Sequence, residues 1–146
     1  MPRGVSKSVL ETLQCVPLLA RCSQKELRQI ANLGVHMSAP DGMVLTTEGE
    51  AGHEMFVILK GKARCVVNGA FVTDFGAGDF LGVMALLDRG PRRATVTAEG
   101  PVDLLVLDDR EFDRLLDVSP AISKKLLFTL AERYRENGRA RGQAAG

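Results

Sequence analysis

Short apolar segments separated by polar turn residues run through the middle of this sequence. Between residues 35 and 107 they read VHM, MVLTTE, MFVILK, ARCVV, AFVTDF, ATVTA and VDLLVLD, with glycine, asparagine and aspartate among the residues between them. Regularly spaced short strands with such turn signals are typical of antiparallel sandwiches and barrels. We therefore predict an antiparallel β domain at the centre of the chain.

Helical signals lie on both sides of these strands. Ser8 to Glu11 and Ser23 to Glu26 fit the capping box, in which a serine side chain and a glutamate three residues later satisfy each other's free backbone donors. The second of these two helices is predicted to end at Gly34, because glycine is the preferred residue after a helix C-terminus.

Two more helices are predicted after the strands. Asp108 to Glu111 makes an aspartate version of the capping box, and Ser119 followed by Pro120 is a preferred helix start. An apolar stripe at helical spacing along the last helix is expected to pack on the strands. Its members are Ile122, Leu126, Leu130 and Tyr134.

One segment interrupts the strand pattern. FLGVMALLD carries leucine, methionine and alanine rather than β-branched residues and is too short for an ordinary helix, so a single helical turn is predicted there. A glycine at the start of such a turn lets a ligand approach the backbone, whose free N–H groups attract anions. Gly82 with Val83, Met84 and Ala85 fits that pattern.

An arginine follows this turn at a rigid corner. Gly90 and Pro91 precede Arg92 and Arg93, and proline fixes the direction of the chain where the guanidinium is presented. A guanidinium offers paired donors that match phosphate oxygens. We therefore predict that Arg92 and residues 82–85 hold one phosphate group between them.

The charge balance and the cysteines limit the classes of function. Nineteen Lys and Arg against eighteen Asp and Glu give a net charge of +1, so the chain lacks the basic excess that nonspecific nucleic-acid binding requires. Cys15, Cys22 and Cys65 have no CxxC spacing, which favours the reducing cytosol. No apolar run approaches the roughly 18 residues of a membrane span, and the N-terminus lacks the apolar centre of a signal peptide. Neither nucleic acid nor a membrane is expected as a partner.

Over residues 8–136 the sequence resembles the cyclic-nucleotide-binding domain family of catabolite-activator proteins and cAMP-dependent kinase regulatory subunits. The family's phosphate cassette commonly reads phenylalanine-glycine-glutamate, an apolar residue and alanine-leucine, then, after a loop, proline-arginine, a small residue and alanine-threonine-valine. Here the same frame reads LGVMAL at 81–86 and PRRATV at 91–96, and EGEAGHEMFVILKGKARC is similar to the family's two-strand signature before the cassette.

The resemblance implies a fold, a ligand and a set of site residues. The fold is an eight-stranded antiparallel β-roll, also described as a double-stranded β-helix or jelly roll, with short N-terminal helices and a C-terminal helix pair. The ligand is cAMP or cGMP. The ligand-binding positions are Gly82, Val83, Met84, Ala85, Arg92, Arg93 and Ala94.

Two positions depart from the family's pattern. The glutamate that accepts a hydrogen bond from the ribose 2'-hydroxyl in the family is Val83 here. The small residue that supports the phosphate and tunes the choice between cAMP and cGMP is Arg93. Loss of the carboxylate is expected to weaken cyclic-nucleotide binding by about tenfold to a hundredfold and to leave the fold unchanged.

Each candidate residue also has a structural interpretation. Gly82 and Arg92 are alternatively a turn glycine and a solvated arginine kept on an inherited scaffold. Arg93 is either a residue of a solvated face or a second phosphate ligand. Tyr134 is a candidate lid over the purine, as the resemblance implies, or a packing residue of the last helix.

These observations predict a non-enzymatic sensor of cAMP or cGMP that passes ligand binding through its C-terminal helix to a partner protein or a second copy of the chain. The domain is expected to span residues 1–138, followed by a flexible tail, 139–146. His36 and His53 are far apart without spaced cysteines or carboxylates, so no metal site is predicted, and no nucleophile and base are arranged for catalysis.

The alternative is a relative of the family that has no nucleotide ligand and serves as a protein-interaction or oligomerisation module. Val83 favours this alternative. The retained GPRRATV segment opposes it.

Overall fold

The computed structural model describes the backbone of residues 7–141 and the side chains of residues 7–135. Helices flank a central set of strands, and one short helix lies within it. The helices are α1 (Lys7–Gln14), α2 (Gln24–Ala31), α3 (Val83–Asp88), α4 (Asp109–Val118) and α5 (Pro120–Arg141), with a 3-10 turn at Pro17–Leu19. The strands are β1 (Val35–Ala39), β2 (Val44–Thr46), β3 (Glu54–Val67), β4 (Ala70–Gly76), β5 (Phe80–Leu81) and β6 (Thr95–Asp108).

The strands pair in an antiparallel manner, as predicted. Their hydrogen-bonded order is β1-β6-β3-β4, with β2 also paired to β6 and β5 paired to β3. MFVILK and ARCVV, predicted as two strands, are both parts of β3, and ATVTA and VDLLVLD are both parts of β6. The β3–β6 register shifts between Ile58 and Lys62, as expected where long strands bend. Counting each long strand as two gives the predicted eight, and the β-roll fold class is confirmed.

The long strands are buried on both faces. Met55 and Val57 of β3 belong to a cluster under the helices, whereas Phe56 and Ile58 belong to a second cluster inside the roll. Successive side chains of a strand point to opposite faces, so a strand covered on both sides reads as a continuous apolar run. This explains why MFVILK lacks polar alternation.

Two of the predicted capping boxes are confirmed. At the start of α2, the Ser23 hydroxyl accepts from the Glu26 N–H at 3.1 Å and the Glu26 carboxylate accepts from the Ser23 N–H at 2.9 Å. At the start of α4, Asp108 and Glu111 make the same reciprocal pair at 2.8 Å each. Local sequence is sufficient to define these two helix starts.

Two other predicted helix boundaries were wrong. Ser8 lies inside α1 and therefore begins no capping box. The helix α2 ends at Ala31 with Asn32 as its C-cap, before Gly34 is reached. Gly34 is required instead by packing, because a Cβ there would overlap the carbonyl oxygen of Val106 in β6.

The last helix lies along the cluster under the helices. It begins directly after Ser119, as predicted, and buries Ile122 and Leu126 completely, with Leu130 half-buried beside them. The predicted packing of Tyr134 on the same stripe was wrong, because this side chain is 73% exposed.

The C-terminal boundary stays a prediction. The backbone of α5 continues to Arg141, so the first residues of the predicted tail are helical, and the remainder lies outside the described residues. Within residues 7–141, none of the helices combines the length and the apolar character needed to cross a membrane.

Candidate functional site

Strand β5 leads into α3 through Gly82, which is the N-cap of the helical turn predicted from the sequence. Gly82 has φ 87° and ψ 0°, a left-handed conformation that favours glycine. A Cβ there would also lie 2.7 Å from Nη1 of Arg92 and 2.8 Å from the backbone oxygen of Glu54. Gly82 is therefore required both by the backbone and by the close approach of the arginine.

The side chain of Arg92 is folded into the protein and only 9% exposed. Its Nη1 donates to the backbone oxygen of Glu54 at 2.8 Å and to that of Gly82 at 3.3 Å. The other end of the fork, Nη2, makes no hydrogen bond within the described residues. Burial lowers the pKa of Arg92 from its usual value, and the nearby Glu54 charge opposes this. The group stays a cation, because an arginine guanidinium is effectively always protonated in proteins.

The backbone around Arg92 is anchored by the loop that precedes β3. The Arg92 N–H donates to the carbonyl of Glu50 at 2.8 Å, and the Gly49 N–H donates to the carbonyl of Arg92 at 2.9 Å. An isolated β-bridge joins Ala51 to Pro91 beside them. This interpretation of Arg92 as a buried, anchored cation replaces the alternative of a solvated arginine.

Arg93 lies beside Arg92 but has different surroundings. Its Nη2 is 3.0 Å from Oδ2 of Asp88, and both side chains are about half exposed. The Gly90 N–H donates to the other Asp88 oxygen at 2.8 Å. That N–H bond and then the Arg93 contact hold the pKa of the Asp88 carboxyl below its usual value. Asp88 thus ties together the loop that leads from α3 to Arg92.

The predicted site residues line one cavity of about 110 Å³. The part of its wall formed by residues 92–94 is bonded to β2, where the Thr46 hydroxyl donates to the Ala94 carbonyl at 2.9 Å. The predicted residues on its wall are Gly82, Val83, Met84, Ala85, Arg92, Arg93 and Ala94. Two chain segments, one on each side of an exposed loop, are therefore brought together as predicted.

Other walls of the cavity were missed by the sequence analysis. They come from β3, β4, β6 and, most notably, α5, through Cys65, Phe75, Val96, Leu130 and Arg133. Burial raises the pKa of the Cys65 thiol, and Arg133 opposes this. At neutral pH this thiol is a neutral wall residue.

Arg133 reaches from α5 to the strand that leads into the cassette. Its Nη2 donates to the backbone oxygen of Phe80 at 2.8 Å, and its guanidinium carbon lies 4.3 Å from the centre of the Phe80 ring and 5.5 Å from that of Phe75. The sequence contained one signal that Arg133 lies on the inner face of the helix, since it continues the stripe of Leu126 and Leu130 at helical spacing, but no signal for its bond to Phe80.

Tyr134 and Val83 occupy contrasting positions. Tyr134, the candidate lid, is 73% exposed and is not among the residues that line the cavity, so its role over a bound base stays a prediction. Val83 is 2% exposed and belongs both to the cavity wall and to the cluster under the helices. The position that carries glutamate in the family is thus apolar and covered here.

Neither histidine is among the residues that line the cavity. The ring Nε2 of His36 is 3.2 Å from the backbone oxygen of Ala31, and His53 is exposed. Within the part of the chain that the structure describes, no group of three or more His, Cys, Asp or Glu side chains is arranged to hold a metal ion.

Comparison with known proteins places this chain in a family. The family model described as "Cyclic nucleotide-binding domain" matches residues 36–119. A cyclic nucleotide-gated potassium channel of Rhizobium etli is 34% identical over 84% of this chain and 34% of its own length. A cAMP-dependent protein kinase regulatory subunit of Neurospora crassa is 31% identical over 82% of this chain and 32% of its own length.

A solved structure described as "Sp-2Cl-cAMPS bound to PKAR CBD2" has the same architecture. It superposes with a TM-score of 0.82 at 27% identity, over 95% of this chain and 92% of that one. The chain is thus a regulatory-type domain, and it belongs to the cyclic nucleotide-binding domain family. It spans about a third of the length of the curated relatives it matches.

Proposed function

We propose that this domain is a non-enzymatic sensor of cAMP or cGMP, with the cyclic phosphate held at Arg92. The observation that carries the proposal is that the Arg92 guanidinium is buried and held in place but keeps one donor group available. This guanidinium is buried at the wall of the cavity, is held by two backbone oxygens through Nη1, and leaves Nη2 without a hydrogen bond within the described residues. A fixed guanidinium with an open donor fits a phosphate oxygen.

The remaining predicted residues have matching roles in this proposal. Gly82, Met84 and Ala85 offer a backbone wall that a phosphate approaches closely. Arg93 and Ala94 form the opposite wall, with Arg93 held at the rim by Asp88. Arg133 joins the candidate lid Tyr134 as a candidate contact for the nucleoside, because Arg133 lines the cavity and its guanidinium lies 5.5 Å from the centre of the Phe75 ring, which is another part of the wall.

The size of the cavity connects ligand binding to α5. A volume of about 110 Å³ accommodates a phosphate but is well below the roughly 300 Å³ at which ligand-sized pockets begin. Leu130 and Arg133 of α5 supply part of the wall. We therefore expect a nucleotide to displace Arg133 or the whole of α5, and a ligand shifts this helix by its differential affinity for the two positions.

A partner for the moving helix is proposed from its outer face. Leu127, Phe128 and Tyr134 of α5 are 67%, 59% and 73% exposed, respectively. Leu127 and Tyr134 are seven positions apart and therefore share one face of α5. Exposed large apolar side chains on one helix face favour contact with another protein, which we take to be a partner protein or a second copy of this chain. Nucleic acid and membranes are not proposed as partners, given the net charge of +1, and the three free thiols support a cytosolic location.

The second candidate function is an interaction or oligomerisation module without a nucleotide ligand. It is favoured by one specific observation, the burial of Val83 within the cluster under the helices, which removes an acceptor for a ribose hydroxyl from the cavity. In that case Arg92 has only a structural role, which is to hold the loop before β3 in place.

Titration with cAMP and with cGMP by calorimetry separates the two functions. The sensor binds at least one of them, and hydrogen exchange of α5 changes when the ligand is added. If neither nucleotide gave a heat of binding or a change in hydrogen exchange at high concentration, the result would support the interaction module instead. A third titration with AMP controls for binding of any purine phosphate, since the sensor is expected to prefer the cyclic phosphate.

A further inference from the structure

The backbone of Gly52 lies directly against the side chain of Arg92. A Cβ built on Gly52 would overlap Nε and Cζ of the guanidinium and would come within 2.5 Å of Cδ. Gly52 is not among the glycines with positive φ, so its own backbone conformation is open to any residue. The space taken by Arg92 is therefore the reason that this position carries no side chain.

Gly52 lies in the middle of the segment that anchors Arg92. The backbone of Glu50 accepts from the Arg92 N–H on one side of it, and the backbone of Glu54 accepts from the Arg92 guanidinium on the other, both at 2.8 Å. The segment 50–54 thus packs along the arginine side chain, and Gly52 is its point of closest contact with the guanidinium. We propose that Gly52 is a positioning residue, which sets the place of the guanidinium that receives the phosphate.

A side chain at position 52 is expected to move the arginine rather than break the fold. The overlapping atoms belong to a long, flexible side chain, which can swing away at the cost of its bonds to Glu54 and Gly82. A substitution at Gly82 would not distinguish displacement of Arg92 from backbone strain, because the positive φ of Gly82 strains any other residue there. Gly52 is thus the position at which the arginine can be displaced by volume alone.

The first test needs no ligand. Urea unfolding is measured for the parent, Gly52→Ala, Arg92→Ala and the double variant, with Gly76→Ala as the matched control, since a Cβ on Gly76 meets nothing within 4 Å and its φ is not positive. Gly52→Ala should lower the unfolding midpoint of the parent and leave that of Arg92→Ala unchanged, because the space is then vacant. An equal decrease in both backgrounds would mean that Gly52 accommodates something other than the guanidinium, and the inference would be overturned.

The second test uses cAMP as the probe and rests on the proposed function. Gly52→Ala and Arg92→Ala should each weaken cAMP binding by about tenfold to a hundredfold, the range for losing a hydrogen bond to a charged group. The double variant should bind no worse than either single variant, and Gly76→Ala should bind as the parent does. Parental affinity in Gly52→Ala would overturn the inference. A parent that binds neither cAMP nor cGMP would end the proposed function, and the unfolding comparison would still decide whether Gly52 positions Arg92.

Discussion

Arg133 of α5 donates from Nη2 to the backbone oxygen of Phe80 at 2.8 Å, and its guanidinium carbon lies 4.3 Å from the centre of the Phe80 ring. Phe80 belongs to β5, the two-residue strand that runs directly into Gly82. The C-terminal helix is therefore bonded to the same short strand that leads into the candidate phosphate site. Under the proposed function, these two residues connect ligand binding at the site to α5.

Replacement of Arg133 by methionine tests this connection. Arg133→Met keeps a long apolar stem but loses the hydrogen bond and the cation–π contact, which together should cost about 1–2 kcal/mol. Because the side chains of residues 131–135 near the end of α5 are exposed or only half-buried, the amides there should exchange faster, while those of β3 and β6 stay protected. Hydrogen exchange followed by mass spectrometry measures both.

The matched control for this variant is Arg135→Met, which changes an exposed arginine of the same helix. It should leave the exchange of α5 unchanged. If both variants gave the same exchange pattern as the parent, Arg133 would not hold the helix to β5.

The parts of the fold that were predictable depend on neighbouring residues. Ser23 with Glu26 and Asp108 with Glu111 carry both partners of a capping box within four positions, so the sequence contains the whole interaction. The cassette turn was equally local, since glycine is favoured at the left-handed position that Gly82 occupies. These features do not depend on the rest of the chain.

The parts that were missed depend on residues distant in sequence. Gly34 avoids the carbonyl of Val106, and Gly52 avoids Arg92, and both contacts exist only after the strands have paired. Arg133 has no local partner in the sequence that reveals its bond to Phe80, 53 positions earlier. The cassette residues could therefore be predicted, whereas the walls supplied by other elements could not.

Replacement of Arg92 by leucine should have two effects. Stabilisation by cAMP should largely disappear at concentrations near the parent's dissociation constant, because the loss of Arg92 raises that constant by about tenfold to a hundredfold. The loss of the bonds to Glu54 and Gly82 should also lower the ligand-free stability by about 1–3 kcal/mol. Thermal melting with and without cAMP separates the two effects.

The control for Arg92→Leu is Arg110→Leu, which removes an exposed arginine from α4. Its melting temperature should rise with cAMP as much as that of the parent. A ligand-induced rise in Arg92→Leu equal to that of the parent would contradict the phosphate site, whatever happens to the ligand-free stability.

The loop between α3 and Arg92 should depend on pH through Asp88. The Gly90 N–H and Arg93 lower the pKa of this carboxyl in the folded protein from its usual 3.8. Its contribution to stability is therefore complete above that usual value and is lost as the pH falls through the lower folded pKa. Asp88→Asn keeps an acceptor for Gly90 but removes the charge that pairs with Arg93.

Urea unfolding of the parent and of Asp88→Asn between pH 7 and pH 2 measures this effect. The parent should be the more stable of the two at neutral pH, and the difference should vanish in acid. A difference that is the same at every pH would assign the effect of the substitution to something other than the charge of Asp88.

Val83→Glu returns a carboxylate to the position where the family's glutamate accepts from the ribose 2'-hydroxyl. Val83 is 2% exposed among apolar side chains, so an unpaired charge there should lower the ligand-free stability by about 2–4 kcal/mol. Burial should raise the pKa of the new carboxyl, and the deficit should therefore shrink as the pH falls through that raised pKa, where the group becomes neutral. Val83→Gln, which has the same shape without the charge, should be less destabilised at pH 7 and should show no such pH dependence.

The same variant tests the register of the site against a nucleotide. Once cAMP is bound, the carboxylate has a hydroxyl donor, and the affinity should rise by about tenfold to a hundredfold, the range for a hydrogen bond to a charged group. The 2'-deoxy form of cAMP lacks that donor and should gain nothing. Calorimetric titration of the parent and of Val83→Glu with both nucleotides measures the difference. An equal gain for both forms would trace the effect to something other than the 2'-hydroxyl, and no gain for either would mean that Val83 does not face the ribose.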